Sequence, residues 1–491
     1  MNDDYYEGRP LRIGNEPQLL IDDEMIEDRW NLQRVLVQPQ KFVRNPVLLP
    51  DQPWEDESVQ APHVLWDKDR YRMWYLARTS GNNDTNLPHM MLCYAESSDG
   101  LTWEKPLLDV FKHPRFGKTN IVYTGGHGQG LQSNNVFLDP NETDPQKQYK
   151  MITLESRPGP EHYTTGINIV TSPDGLNWTL QGDSHVLDYH SDCYNHIAYD
   201  PKHNRWLLYG RPMFLMTVSG VRNRVRAPDG TSVNRHTRRK VFVSTSKDLE
   251  QWSYPRIVMY PDELDMSDYD DCHVFRYGDR FLMLYSAMEE TKDYEEEIRL
   301  ASSRDGLRWQ PFFTREPYIP RGREGDWDGG MVYMPSAPVF KHDKMLTYYS
   351  AGPNPQAIRS VMRGIGVAIN WRDHFVEQRA GNNSGYLVTR EFVLEGNRLR
   401  LNCGMKSQPY KDHGIRVEII RHPPTNGHYG FKPVYEGFSF DDCDRVQWPG
   451  NTGTLVTWNR SADLSALAGK PVYLRFEIQN MGLFSFQITG E

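Results

Sequence analysis

Long apolar runs are missing from this chain: no stretch approaches the roughly eighteen consecutive apolar residues that a membrane-spanning helix needs. No partnership with a membrane is therefore expected. The first thirty residues carry Asp3, Asp4, Glu7, Asp22, Asp23 and Glu24, but neither the basic start nor the apolar centre of a signal peptide. A cytoplasmic location is expected, or a periplasmic one if a signal has been removed. Positive charge is not in excess either. With a net charge of −9, nucleic acid and anionic lipid are poor partners. Cysteine is scarce, odd in number and scattered (Cys93, Cys193, Cys272, Cys403, Cys443), with no C-x-x-C, so reduced thiols are expected rather than a disulfide or zinc framework. Residues 380–491 show no long helical period either. Disorder is excluded by the 12% aromatic content set against an ordinary 25% of charged residues.

What the chain does contain is one phrase repeated four times. Residues 97–103 read Ser-Ser-Asp-Gly-Leu-Thr-Trp, 172–178 Ser-Pro-Asp-Gly-Leu-Asn-Trp, 246–252 Ser-Lys-Asp-Leu-Glu-Gln-Trp and 303–309 Ser-Arg-Asp-Gly-Leu-Arg-Trp. Each reads as a turn: Ser and Asp bond to backbone groups two or three residues on, Gly permits a positive φ, and Trp anchors the turn on a neighbouring sheet. A short apolar strand precedes every copy. Repetition of this kind at long period marks an array of structural units.

The units themselves are hairpins, at 63–75, 136–153, 196–209, 273–285 and 338–349, each with an apolar strand, an Asp/Lys/Gly/Asn turn and a second strand rich in Tyr or Trp. A third strand leads into the repeated turn and a fourth can follow its Trp. Five units of four strands predict a five-bladed β-propeller, which closes into a ring and leaves no exposed sheet edge. This all-β catalytic domain is placed at 51–379, preceded by a leader, 1–50, expected to pack on it. Residues 380–491 change to short alternating strands separated by turn clusters, the pattern of a C-terminal β-sandwich. The longest loop, about 213–240, carries Arg222, Arg224, Arg226, Arg235, Arg238 and Arg239. Its readings are a lid, an arm for a homo-oligomer, or a solvated basic loop.

In a propeller, residues at one offset in the first strand of each blade lie at one depth in the central channel. The position before the first apolar residue is His63, Asn135, His196, His273 and Pro338 in turn. Three histidines there can meet on the axis. They can hold a structural metal ion or ordered water, or simply pack as polar side chains. Carboxylates collect just above: Asp271 with Asp270 beside it, Asp192, Glu57, and Asp328 in the segment 324–330. Acids at one mouth of a ring suit glycosidic cleavage, in which one carboxyl stays protonated to donate to the leaving oxygen and another is ionised. Asp271 is the first candidate for the general acid, and Asp192 or Asp328 for the nucleophile or base, with Glu57 in reserve. Arg78, Arg157 and Arg211, each following a second strand, are candidate clamps for sugar hydroxyls, a carboxylate or a sulfate. Asp270, Asn135 and Trp327 complete the expected substrate contacts, with Trp54, Trp66 and Trp74 as further stacking candidates. This chemistry requires no cofactor.

The lead-in at Asn45, the hairpin 64–75, the Ser-x-Asp-Gly-Leu-x-Trp turns and the terminal sandwich together resemble the five-bladed glycoside hydrolases of families 32 and 43 and, more distantly, the family 130 phosphorylases. The resemblance covers about residues 40–491. It implies an exo-acting glycosidase that acts on a carbohydrate chain end. The chain departs from the pattern in the first blade, where Gln60, Ala61 and Pro62 stand at the acid's position, and at 133–135, where the second acid is missing. The acid–Cys pair of family 32 is echoed by Asp271 and Cys272, with Asp for Glu. Open alternatives are a phosphorylase using its arginines on phosphate, a carbohydrate-binding propeller without catalysis, and a six-bladed sialidase-like ring, whose repeated turn is one residue longer.

Overall fold

The computed structural model of the protein describes residues 3–80, 86–159, 163–189, 191, 194–212, 225–226, 232–233, 239–289, 292–358, 362–405, 412–422, 433–450 and 453–490. Asp192, Cys193 and most of the loop 213–240, with its expected oligomer arm, lie outside the described residues. The chain forms two compact units: 39–276 with 281–370, and 1–38 with 277–280 and 371–491.

The larger unit is the five-bladed propeller that the repeats predict. Blade 1 pairs Ser58–Asp67, Arg70–Arg78, Met90–Ser97 and Ile121–Tyr123, and blade 2 pairs Asn135–Leu138, Tyr149–Pro158, Tyr163–Ser172 and Thr179–Leu180. Blade 3 consists of His196–Asp200, Arg205–Gly210, Val241–Ser246 and Arg256–Met259, and blade 4 of Asp268–Tyr277, Arg280–Glu289, Glu295–Ser303 and Gln310–Pro311. In blade 5, Val339–Lys341, Lys344–Gly352 and Gly364–Trp371 are completed by Gln40–Lys41, a strand from the other end of the sequence. That strand closes the ring. Lys41 Nζ reaches the buried Asp328 carboxylate at 2.6 Å, and the Asn45 amide mimics a further strand residue by bonding both N and O of Val367 at 2.9 Å. One strand was not foreseen. Met331–Tyr333 runs parallel to Glu295–Ser303 and antiparallel to Lys344–Gly352, joining blades 4 and 5.

The repeated turns rivet the blades together. In every copy the Asp carboxylate accepts two backbone N–H bonds (Leu101 and Thr102 to Asp99, both 2.7 Å) while the Ser hydroxyl accepts a third from the residue at the tight corner, Gly100 at 2.9 Å. Burial alone would raise Asp99, yet these N–H donors outweigh it and hold the carboxyl down at about 2. The corner residue has φ of +77°, +77° and +71° at Gly100, Gly175 and Gly306, which favours glycine. Its carbonyl then receives a side chain from the preceding blade: Trp74 Nε1 on Gly175 O at 2.6 Å, Tyr209 on Gly306 O at 2.6 Å, and Tyr348 of blade 5 on Gly100 O at 2.7 Å. Each of these aromatics is completely buried, contributing about 1.5–3 kcal/mol in apolar burial alone. Trp54 and Trp74 are thus core, not stacking platforms, and Trp66 lies edge-on against Tyr71.

The smaller unit is a β-sandwich of two antiparallel sheets around one apolar core that includes Leu399, Leu401, Val417, Phe476 and Phe486. Residues 18–36 of the leader are woven into it, whereas residues 40–45 belong to blade 5 of the propeller. Gln18–Leu19 pairs with Met481–Thr489, Ile26–Trp30 with Gly385–Thr389, and Gln33–Leu36 with Val376–Arg379. The physical reason is edge pairing: these short strands supply backbone partners to sheets that residues 380–491 alone leave open. The four described cysteines, Cys93, Cys272, Cys403 and Cys443, are buried free thiols. Among the described residues no helix is long and apolar enough to cross a membrane.

Candidate active site

Blade 4 opens with two consecutive aspartates whose side chains leave opposite faces of the strand. Asp270 meets the guanidinium groups of Arg211, at the end of the second strand of blade 3, and Arg239, just before that blade's third strand. Asp271 instead accepts hydrogen bonds from Ser286 Oγ at 3.0 Å and from the backbone N of Met334 at 3.1 Å. The third strand of blade 4 alternates in its glutamates. Glu295 turns to Arg321 and Glu297 to Arg299, while Glu296 between them points inward with neither oxygen hydrogen-bonded among the described residues. Asp270, Asp271 and Glu296 are 2%, 4% and 0% exposed, and a set of their oxygens lies within 4.8 Å.

Three carboxyls that close cannot all ionise, and their surroundings separate them. Burial works against the charge on Asp270, but Arg211 and Arg239 overcome it and hold the group below the usual carboxylate range. Asp271 is pushed up to about 8, first by burial and then by the negative charge of Asp270. Glu296 is driven well above its ordinary value by burial, with both aspartates adding to the effect. The surroundings therefore favour the charge on Asp270 and shift Asp271 and Glu296 toward their protonated forms. The spacing would also admit a metal ion, but the guanidinium pair already on Asp270 repels a dication.

The trio continues into a polar chain across blades 5 and 1. Arg363 donates to Tyr333 Oη at 3.2 Å, Tyr333 to Gln60 Oε1 at 2.8 Å, and Gln60 Nε2 to Tyr194 Oη at 3.3 Å. Below it the channel histidines do gather, with ring centroids of His196 and His273 4.2 Å apart, His63 and His273 5.2 Å, and His63 and His196 6.4 Å. Burial holds all three neutral, His63 being lowered to about 4. They do not make the expected three-nitrogen metal set. His63 Nε2 is taken by the Asn135 amide at 3.0 Å and its ring also bonds to the backbone of Val136, so no lone pair is left for a metal. The Nδ1 atoms of His196 and His273 have no partner among the described residues. Asn135, expected to touch substrate, spends its oxygen on the backbone N of Ile197 at 2.9 Å.

Other expected residues are placed elsewhere. Asp192 lies outside the described residues. Asp328 is committed to Lys41 and, at 3.4 Å, to Tyr349, making it part of the ring closure. Glu57 pairs with Arg78 at 3.3 Å beside His89. Arg157 is not a clamp: it bonds to Asn168 and to the carbonyls of Gln181 and Gly182, within blade 2. Trp327 packs on Tyr349 and covers Gly366. The residues that sequence reasoning missed are Glu296, Arg363, Tyr333 and Ser286. Three successive glutamates on a strand entering the ring, of which only the middle one can face inward, were the available signal for Glu296.

The chain matches no protein-family model and no curated protein. Solved structures similar to it include one described as a glycoside hydrolase (17% identity over 68% of this chain and 92% of that one, TM-score 0.46). Another is a glycosyl hydrolase from Bacteroides ovatus (14%, 69% and 95%, TM-score 0.47). A third comes from the family 130 mannoside phosphorylases and glycoside hydrolases that target β-1,2 mannosidic linkages in Candida mannan (15%, 68% and 94%, TM-score 0.45).

Proposed function

We propose that the chain is a carbohydrate-active enzyme, a glycoside hydrolase that removes a terminal sugar from an oligosaccharide or polysaccharide end by carboxylate acid/base catalysis. One observation carries the reading: three buried carboxyls with oxygens within 4.8 Å, of which Asp270 meets two arginines, which favour its charge, while Asp271 meets none and is pushed up to about 8 by burial and by Asp270. Asp271 donates its proton to the glycosidic oxygen as that bond breaks. Asp270 supplies the negative charge that an oxocarbenium-like sugar requires, and Asp271, now ionised, takes a proton from the incoming water. Burial and both aspartates disfavour a charge on Glu296, which works against a second anion beside Asp270. The depth of the trio suits a chain end, and no cofactor enters the scheme. The short spacing lies on the side of retaining enzymes, whose carboxyls are about 5–5.5 Å apart, rather than inverting ones at roughly 6.5–9.5 Å.

The test is a screen of plant, algal and fructan oligosaccharides for released monosaccharide, with and without phosphate, repeated with Asp271→Asn. Loss of roughly 10²–10⁴ in rate with ligand binding kept is the expected result. Cleavage only with phosphate would make the protein a phosphorylase. Saccharide binding indifferent to every acid replacement, with product never formed, would make it a binding module.

A further inference from the structure

Three arginines, Arg211, Arg239 and Arg363, surround the carboxyl trio. Arg211 and Arg239 both bond to Asp270 Oδ1. Arg363, just before the third strand of blade 5, has one side-chain hydrogen bond among the described residues, from Nη1 to Tyr333 Oη at 3.2 Å, and none to a carboxylate. It nevertheless lies close enough to Glu296 and Asp270 to feel both. Arg239 gives Nη1 to Asp270 and to Met288 Sδ, packs over the Tyr294 ring, has no hydrogen bond from Nε or Nη2 among the described residues, and is about a quarter exposed. Guanidinium donors of Arg363 and Arg239 without a carboxylate to bond are costly in a poorly hydrated place until an anion arrives. The planar donor fork of arginine matches carboxylate and sulfate oxygens in pairs. Arg363 is pre-set for this, because the chain Tyr333, Gln60, Tyr194 fixes the hydroxyl that holds it.

We propose that the sugar bound beside Asp271 carries an anionic group, a uronic acid carboxylate or a sulfate ester, and that Arg363 with the free edge of Arg239 receives it. This rests on the glycosidase reading and narrows its substrate class. Without its anion a substrate leaves the guanidiniums unpaired, so neutral sugars are discriminated against as analogues lacking a required polar group are. Arg363 acts on binding more than on bond cleavage, which fixes how its variants behave.

The experiment uses the full chain and matched pairs of oligosaccharides and aryl glycosides that differ at the terminal sugar only, as carboxylate against hydroxymethyl or sulfate ester against hydroxyl. The charged member is expected to win by roughly 100-fold or more in kcat/KM. High salt should shrink that ratio, and Arg363→Lys should raise KM for charged substrates while leaving kcat largely intact. The uronate and sulfate arms identify which anion is meant. In parallel, calorimetry compares hexuronates and sulfated hexoses with neutral hexoses on Asp271→Asn. Charged sugars binding no tighter than neutral ones overturn the proposal, whether or not any glycan is cleaved. Neutral substrates cleaved as well as charged ones, with activity abolished by Asp271→Asn, also overturn it while the acid/base reading survives. Tight anionic-sugar binding without cleavage of any member would instead sink the glycosidase reading and keep the site. Cleavage of neutral glycans that depends on inorganic phosphate would give the positive charge to a co-substrate and refute the placement on the sugar.

Discussion

Replacing Asp270 by Asn tests the charge logic of the carboxyl trio while leaving the proposed proton donor untouched. Asp271 titrates near 8 because it is buried and, secondly, because the charge on Asp270 opposes its ionisation. At the 4.8 Å that bounds their oxygens and an effective dielectric constant of about 20, that repulsion is roughly 3.5 kcal/mol, or roughly 2.5 pK units. Asn removes it, and also releases two guanidiniums to favour the ionised form of Asp271. Both changes act downward, so Asp271 should titrate below about 6 in the variant. An acid donates only below its pKa. The alkaline limb of kcat/KM, expected near pH 8 in the wild type, therefore moves toward acid pH, and at neutral pH the variant's donor is mostly ionised. Because Asp270→Asn can also abolish turnover, the decisive readout is a ¹³C titration of carboxyl-labelled aspartate, with Asp271→Asn assigning the resonance. A signal for Asp271 that stays near 8, or rises, would refute the separation of the two aspartates into anion and acid.

Three other outcomes follow from contacts already described. Gly175→Ala places a Cβ at φ +77° and 2.7 Å from the Trp74 ring, so denaturant unfolding should show a loss of about 2–4 kcal/mol, with the pH profile unchanged. Lys41→Met strands the buried carboxylate of Asp328 and should cost about 3 kcal/mol in the same assay; a rate defect without a stability defect would instead make Asp328 catalytic. His63, neutral in the fold and lowered by burial from 6.5 to about 4, makes the unfolded chain the better proton binder between those values. Stability is therefore lost as pH falls from about 6.5 to about 4, by about 3 kcal/mol relative to His63→Asn, and parallel pH curves for the two proteins would count against a buried neutral ring.

The ring was legible because its repeat is written in residues with few substitutes. A positive φ under an aromatic side chain favours Gly, which stands at the corner in three copies while Leu249 takes φ +68° in the fourth, and a turn closed by two N–H bonds to one carboxylate needs Asp in the place it occupies. The strand partners of the leader were not legible for the opposite reason. Strands of two to five residues such as Gln18–Leu19 and Ile26–Trp30 carry no period long enough to name a partner, and their pairing is fixed by open sheet edges more than 350 residues away in sequence. Blade 5 shows both cases. Its hairpin was readable from alternation, but its outermost strand comes from Gln40–Lys41, which no local pattern assigns to it.

The site divides along the same line. Repeat-equivalent offsets predict depth in the channel, which brought the three histidines together, but depth does not fix how each side chain spends its hydrogen bonds. His63 and Asn135 share an offset, so they meet each other and satisfy one another, and that removes both from ligand duty. Offsets are equally silent about residues outside the first strand. Glu296 belongs to the third strand and Tyr333 to a linking strand, and they enter the site because Glu296 bridges Met331 where blades 4 and 5 are joined. Acids chosen by offset alone were drawn toward turn and closure positions, as Asp328 was. The chemistry requires a second condition, an acid that the fold buries without giving it a partner. Glu296 meets it with two unbonded oxygens and Asp271 meets it in part, and neither property can be counted before the neighbours are known.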